Sequence, residues 1–494
     1  MTELVSYQCN ICGYIYDENL GDTDGGIPAG TRWEDIPESW KCPVCGVGKE
    51  GFTKIIRKGS AIANTTPEPT NTQKEVPIED DGRSYLRAYE RTGENALEPD
   101  FRSIFEKAVT GKEEISAMGT KKNYRNLWED IFFLPGQLAT RVYDKHEVEV
   151  DLTTVIGPKA KQPITLKLPF YVSHMSFGAL SREAKIALAK WSKAVGTMIC
   201  SGEGGLLEEE YENAGTYVFE YSTGRFGATE ENMRKAHAIE IKIGQAAKAG
   251  LGGHLMWPKV TEEIAKVRSV EPWKDVISPA NHTDIHTKEE LRDRVIYLRE
   301  LSGGKPIGIK IVASHIEADL EVAIFCQPDF ITIDCRGGAT GAAPTHVKDN
   351  VCIPAPYAVY RARKFLDEQG IGRDISLCIT GGFRTSADIT KALAMGADAV
   401  AVSTVAMIGI GCQQYRVCHK WTCPVGIATQ NPDLRKRFDM YKSAEMLVRL
   451  FHVYREEIED FVRILGKKNI HTLDASDLVT ISSEISEHTN VGHA

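Results

Sequence analysis

Ser376-Leu377-Cys378-Ile379-Thr380-Gly381-Gly382-Phe383-Arg384-Thr385-Ser386-Ala387-Asp388 opens the stretch whose reading decides the fold. An apolar, β-compatible run meets two glycines. Thr385 then stands where a helix N-cap belongs, and Ser386–Met395 repeats its apolar residues at helical spacing. Ala399–Ser403 is a second apolar run. Strand, glycine turn, helix and strand make a βαβ unit, which places its two strands parallel.

The alternation extends outward from there. Strand candidates are Phe170–His174, Thr197–Cys200, Tyr217–Tyr221, Ile239–Ile243, Ile307–Val312, Phe330–Asp334, Ser376–Thr380 and Ala399–Ser403, with Arg182–Val195 and Ala355–Glu368 as clear crossover helices. Eight strands of this kind predict an α/β protein, a (β/α)8 TIM barrel over 151–411, with its site at the carboxyl ends of the strands. Glycines after strands six and seven (Gly337, Gly338, Gly381, Gly382), with Thr340, Ser403 and Thr404, let backbone N–H groups approach an anion. That points to a phosphate-bearing cofactor. Lys310, inside strand five, either turns inward beside such a cofactor or leaves the rim for solvent.

Past the eighth strand runs Gly411-Cys412-Gln413-Gln414-Tyr415-Arg416-Val417-Cys418-His419-Lys420-Trp421-Thr422-Cys423-Pro424-Val425-Gly426. The C-x5-C-x4-C spacing, with a proline after the last cysteine, suits an iron–sulfur cluster held by Cys412, Cys418 and Cys423. Structural zinc sites favour four ligands in short pairs. The loop spans 412–430. A helical segment, 431–494, follows, with Ala444–Leu465 amphipathic. Its run Arg435–Arg437 is either a solvated face or a dock for an acidic partner.

At the other end, Cys9-Asn10-Ile11-Cys12 and Cys42-Pro43-Val44-Cys45 offer four thiolates to zinc or a single iron. Tyr7, Tyr14, Tyr16, Trp33, Trp40 and Phe52 would enclose the metal. Residues 1–52 carry nine acidic and three basic side chains, a solvated surface or a docking face. A Thr-, Asn- and Pro-rich stretch over 53–80 reads as a flexible linker. A helical extension is expected over 81–150, broken at Pro135-Gly136, as a lid or docking element.

Composition narrows the classes. The chain has 494 residues and a net charge of −9, which gives nucleic-acid binding no electrostatic support. No segment is apolar for long enough to span a bilayer, and the start lacks a signal peptide. Seven of the twelve cysteines fall into metal-type clusters. Cys200, Cys326, Cys335, Cys352 and Cys378 read as core residues, so a reducing cytoplasm is expected.

Two resemblances follow from these motifs. Residues 1–52 closely resemble rubredoxin, which implies one iron on Cys9, Cys12, Cys42 and Cys45 as a one-electron carrier. His174-Met175-Ser176-Phe177-Gly178-Ala179-Leu180-Ser181, Ser201-Gly202-Glu203-Gly204-Gly205, Gly224-Arg225-Phe226-Gly227, Glu240–Lys248 and the cluster loop resemble the FMN-binding synthase domain of glutamate synthase, of the short archaeal type. That resemblance implies FMN beside Met175, Ser176 and Lys310, with its phosphate on Gly337, Gly338, Thr340, Gly381, Gly382, Ser403 and Thr404. It implies a three-iron, four-sulfur cluster on the three cysteines. It places 2-oxoglutarate by Lys242, Gln245, Lys248 and Arg268, with Glu203 and Arg225 nearby. Lys242, Lys248 and Glu203 are the candidates for proton transfer during reductive amination to L-glutamate.

The pattern also departs from the family. No N-terminal cysteine nucleophile is available, so a separate glutaminase-type subunit or free ammonia is expected. No nicotinamide-binding fingerprint appears, so the donor is expected to be rubredoxin's own partner or a ferredoxin. Leu251, His254 and Met256-Trp257 replace the family's acidic loop near the ammonia path. These departures keep two other readings open: a related enzyme acting on another amino acid, N-methylglutamate synthase-like, or a rubredoxin-linked electron-transfer subunit. A homo-oligomer is compatible with all three.

Overall fold

The computed structural model describes residues 5–9, 14–22, 25–43, 47–55, 101–122 and 126–494. Cys12, Cys45 and the linker from residue 56 onward lie outside the described residues. The chain divides into two compact units, Met1–Ile115 and Ser116–Ala494.

The first unit contains a three-stranded antiparallel sheet of β1 (Ser6–Cys9), β2 (Ile15–Asp17) and β3 (Phe52–Ile55), with β1 central. So short a segment cannot bury a large aliphatic core. Rings take its place: Tyr16, Ile27, Ile36 and Trp40 are buried, with Tyr14, Trp33 and Phe52 packed against them. The Trp33 ring lies 4.9 Å from Phe52 and 5.9 Å from Trp40. The Trp40 indole N–H donates to Asp22 at 2.7 Å, which satisfies the one polar atom that ring buries. The helix α1 (Phe101–Thr110) also belongs to this unit.

The second unit is a closed parallel barrel of eight strands in sequence order: β4 (Phe170–Val172), β5 (Met198–Cys200), β6 (Thr216–Tyr221), β7 (Ala238–Lys242), β8 (Ile307–Val312), β9 (Phe330–Asp334), β10 (Ser376–Thr380) and β11 (Ala399–Val402). All eight expected strands are there. The ladders of β4, β7 and β11 stop one or two residues early, so His174, Ile243 and Ser403 already belong to the loops that form the site.

Alternation along each strand decides what faces inward. On β6 the inward face passes from Val218 to Glu220, and on β7 from Ala238 to Glu240 to Lys242. The lower half is therefore apolar. It is closed by a hairpin, Thr154–Ile156 with Ile164–Leu166, whose Ile156, Ile164 and Leu166 pack with Tyr171, Met198 and Phe330. Gly308 has no side chain because a Cβ there would run into the Phe330 ring. The upper half is charged, and the register sets its layers: Glu220 stands opposite Glu240, and Lys242 opposite Lys310.

The outer layer contains α2 (Arg182–Val195), α3 (Ala355–Glu368), α4 (Ser386–Ala394) and α5 (Met440–Ile464). The Thr385 hydroxyl accepts from Asp388 N–H and the Asp388 carboxylate accepts in return, a capping box. α5 lays its apolar stripe on α2 and β4, with Phe451 4.3 Å from Trp191 and 5.1 Å from Phe170, ring to ring. Arg435 is not a free basic patch: it is paired bidentately with Glu183 at 2.8 and 2.9 Å.

The helical extension expected over 81–150 is corrected. Among the described residues, α1 is its only α-helix. Ile131–Phe133 is a strand that pairs antiparallel with Leu478–Thr480. Buried Ile131 followed by exposed Phe132 is a two-residue period, and Pro135-Gly136 ends it. The C-terminal segment is likewise mixed, since Leu478–Thr480 and Gly492–His493 are its contributions to that sheet.

Candidate active site

A cleft of about 1180 Å³, counted out to where it opens to solvent, lies at the carboxyl ends of the barrel strands. Its walls include Met175, Ser176, Glu203, Lys242, Gln245, Lys248, Arg268, Lys310, Thr340, Ser403 and Thr404. Cys412 and Cys418 stand on its edge. Residues from six different loops or strands converge there, as the barrel topology requires.

Three buried or half-buried cations in this cleft, Arg268, Lys248 and Lys259, have no carboxylate partner within ion-pair distance among the described residues. Arg268 is held by the Phe177 carbonyl at 2.7 Å and the Ser176 hydroxyl at 3.4 Å, and its Nε is buried without a partner. Burial pushes its pKa down to about 10, with Glu203 opposing. Burial also pulls Lys248 down to about 8, helped by the charge of Lys242. Desolvated, unpaired cations are costly unless an anion completes them. Lys242 is different. Its ammonium meets Glu203 at 2.8 Å and Glu220 at 3.4 Å. Burial works against its charge, but Glu220 and Glu203 override that and hold its pKa above the ordinary lysine value.

Lys310 turns inward: it is 3% exposed and faces Glu220 at 3.5 Å. The loops after the strands suit a flavin phosphate. Gly337 and Gly381 have φ of +99° and +107°, and a Cβ on Gly381 would strike the Cys335 backbone. Glycine therefore brings these loops together behind Thr340, Ser403 and Thr404, which line the cleft. Gly337, Gly338, Gly381 and Gly382 support the wall rather than form it. The segment after residue 116 closes one side: Met118 N–H donates to Thr340 O at 2.7 Å, and its side chain lines the cleft. Arg416 from the cluster loop anchors it through the Ala117 and Gly119 carbonyls.

Arg225 is not brought in. It pairs with Asp284 and lies 3.9 Å over the Tyr221 ring, outside the cleft. Its backbone φ of +53° stands where the Ser222–Arg225 and Arg225–Ala228 turns meet.

The three loop cysteines act on one another electrostatically. Burial pushes the Cys418 thiol up to about 11, and Cys423 and Cys412 add to the shift. Burial raises the Cys412 thiol as well, and a bound cation would offset that cost. Lys259, buried, donates to the Cys418 carbonyl at 3.2 Å and lies 5.1 Å over the Trp421 ring. In the first unit Cys9 and Cys42 are buried, and their N–H groups donate to Tyr14 O and Val47 O at 2.7 and 2.8 Å.

Sequence reading missed Met118, His174, Glu220, Glu240 and Lys259. Two of them had a signal: Glu220 and Glu240 interrupt apolar strands, and Glu240 shares the two-residue period of Lys242. Lys185, buried on α2, joins the Ser201 carbonyl at 2.9 Å, the Met175 carbonyl and Glu210 at 2.7 Å, fixing both loops from below.

Comparison with known proteins agrees with this architecture. Residues 96–468 match the conserved region in glutamate synthase, and residues 6–52 match rubredoxin. The archaeal glutamate synthase [NADPH] of Methanocaldococcus jannaschii is 37% identical, over 75% of this chain and 78% of its own. The archaeal-type glutamate synthase [NADPH] of Thermotoga maritima is 35% identical, over 75% and 77%. A glutamate synthase large subunit-like protein of Rhizobium meliloti is 32% identical, over 81% and 95%. With a barrel and a cleft inside a region that matches that family model over three quarters of the chain, the chain belongs to the glutamate synthase family, and carries a rubredoxin domain in front.

Proposed function

We propose that the chain reductively aminates 2-oxoglutarate to L-glutamate, on FMN, with electrons arriving through the rubredoxin iron and a three-iron, four-sulfur cluster. The observation that carries this is that Arg268 and Lys248, two of the three cleft cations without a carboxylate, converge in the cleft that Lys310, Ser403 and Thr404 also line. A dicarboxylate supplies the anions they lack. Arg268 takes one carboxylate, and Lys248 and Gln245 the other, which turns the carbonyl carbon toward the Met175–Ser176 wall.

FMN would be held by Met175, Ser176 and Lys310 at its ring and by the Gly337–Thr340, Gly381–Gly382 and Ser403–Thr404 loops at its phosphate; bound there, it supplies two-electron transfer to the imine carbon. Cys412, Cys418 and Cys423 would hold the cluster, and Cys9, Cys12, Cys42 and Cys45 the single iron. The chain's own work is to exclude water, orient the dicarboxylate and move protons. Lys248, with its pKa near 8, and the Glu203–Lys242 pair are the groups that exchange a proton at the substrate nitrogen or oxygen. Ammonia comes from a separate glutaminase-type subunit or from solution, and a ferredoxin or an oxidoreductase loads the rubredoxin.

A second reading has support at the rim. His254 lines the cleft and meets Asp275 at 3.2 Å, and Leu251, Met256 and Trp257 are exposed beside it. A rim of this character suits an amine larger than ammonia, as in an N-methylglutamate synthase-like reaction.

The test is anaerobic. The purified protein is reduced, mixed with 2-oxoglutarate and ammonium or methylamine, and followed by flavin absorbance with product analysis. Glutamate from ammonium supports the first reading, and N-methylglutamate from methylamine the second. No reoxidation with either amine, with a glutaminase partner present, sinks both.

A further inference from the structure

The segment that carries Gln245 and Lys248 leaves the barrel as soon as β7 ends. The Ile243 N–H still reaches the Lys310 carbonyl at 2.9 Å. Beyond it, Ala246–Lys248 forms one short helical turn entered from Gln245, closed by the Lys248 N–H on the Gln245 carbonyl at 3.1 Å. Ala246 and Ala247 are each 3% exposed. Their methyl groups pack but hold nothing by hydrogen bonds, so the buried backbone needs partners from elsewhere.

The Ala246 N–H finds its partner on another strand. Asp334, the last residue of β9, is 5% exposed, and its Oδ2 accepts from that N–H at 3.1 Å. The barrel fixes Asp334 in turn. Val312 of β8 and Thr380 of β10 stand opposite it, and its carbonyl accepts from the Ala313 N–H at 2.9 Å. Burial pushes its carboxyl up, while Lys310 and the Ala246 N–H oppose. The same turn also touches the loop after β9. The Gln245 amide donates to the Ala339 carbonyl at 3.3 Å. Gly338 leaves the room for this contact: a Cβ there would stand 2.7 Å from Asp334 Oδ1 and 3.4 Å from the Ala246 Cβ. The Cys352 thiol, a weak donor, reaches the Ala246 carbonyl at 3.7 Å. Of these contacts the Asp334 one is the strongest, a carboxyl oxygen on a buried N–H, offered from a rigid strand end.

We infer that Asp334 is a positioning residue for the dicarboxylate: by accepting the Ala246 N–H it fixes the turn that aims Gln245 and Lys248 into the cleft. The inference rests on the proposed dicarboxylate site. Asp334 itself stands behind the cleft wall. It therefore acts through the turn and touches no reacting atom. Its effect falls on the orientation of two anchors, which is a matter of binding more than of chemistry.

The test uses the full-length, flavin- and iron-loaded protein with Asp334→Ala and Asp334→Asn. Kd for 2-oxoglutarate is measured by isothermal titration calorimetry, and kcat and KM from glutamate formation. Asp334→Ala should raise Kd and KM about tenfold and leave kcat within about twofold of wild type. Asp334→Asn keeps an acceptor oxygen of the same shape and should recover most of that affinity. Asparagine that binds as poorly as alanine overturns the N–H tether. A merely structural contact would cost stability alone, so an unchanged Kd in Asp334→Ala, with or without a lower Tm, overturns the inference. Should Asp334→Ala fail to hold flavin, Gly338→Ala decides. Its methyl presses on Asp334 Oδ1 from the loop side, and Kd should rise; an unchanged value overturns the inference alone. Variants that weaken 2-oxoglutarate binding in a protein that makes no glutamate remove the functional reading and leave the positioning role in place. A wild type that binds no 2-oxoglutarate overturns both.

Discussion

The rubredoxin domain and the barrel cleft enclose charge in opposite ways. In the unit that holds Cys9 and Cys42 the core is made of rings, Tyr14, Trp33, Trp40 and Phe52 among them. Under the cleft the groups are ions: Glu203, Glu220 and Glu240 interleaved with Lys242 and Lys310, with the His174 imidazole against Glu240. An aromatic shell excludes water, which suits one-electron transfer. Forming C–H and N–H bonds consumes protons, so the cleft keeps titratable groups within reach even at the cost of burying them. On the proposed function, the first unit would carry electrons alone, whereas the second would pass both electrons and protons.

The sharpest way to break that division is at the cluster. Cys418→Ser should remove three of about four irons per chain while leaving rubredoxin iron absorbance intact. Glutamate formation driven through the iron centres should fall below detection. Iron analysis with visible spectra checks this, and full iron content in the variant would show that Cys418 is not a ligand.

The cleft's cations come next. Arg268→Gln should raise KM for 2-oxoglutarate about 10²-fold, the loss of one charge-assisted contact of about 2–3 kcal/mol, with a smaller effect on kcat. A variant that loses kcat at unchanged KM would move Arg268 from anchoring to proton chemistry. Lys248 makes the same point through pH. Its charge is present below about 8 and lost above. In the free enzyme, kcat/KM for the dicarboxylate should therefore fall as pH rises through that value, and Lys248→Arg should abolish the fall.

Lys259 gives a smaller effect at the boundary between the two chemistries. Its ammonium, against the Cys418 carbonyl and the Trp421 ring, favours the more negative, reduced cluster. Lys259→Met should lower the cluster's reduction potential, and Lys259→Arg should restore much of it. Potentiometric titration followed by electron paramagnetic resonance distinguishes this from simple loss of cluster.

How much of this was readable beforehand depended on whether a residue's role is local. Each of the eight strands carries its own apolar run, and Thr385 and Asp388 cap α4 within one turn, so both could be read from the chain. Arg225 could not be placed, because its partner Asp284 lies on another loop and its φ of +53° is set by the turn. His174 looked like part of a motif. Only barrel closure brings it against Glu240, which lies three strands away in the chain's order. Lys259 had no pattern at all, because its meaning comes from a loop more than 150 residues further on. The supposed helix over 131–133 failed because its strand partner, 478–480, is equally remote.

The smallest effect tests the dry side of the comparison. Trp40 is 5% exposed, packs 5.5 Å from Phe52 and 5.8 Å from Tyr16, and donates to Asp22 at 2.7 Å. Trp40→Phe keeps most of the ring packing and removes that donor, leaving the buried Asp22 carboxylate with the Gly25 N–H at 3.1 Å. The cost should be about 1–2 kcal/mol, seen as earlier thermal loss of rubredoxin iron absorbance, by roughly 5–10 °C for so small a unit. The barrel does not use this contact, so glutamate formation with a chemical reductant that bypasses rubredoxin should be unchanged. A matching loss there would mean that the aromatic shell and the charged cleft are energetically coupled, and the division between a unit for electrons alone and one for electrons and protons would no longer hold.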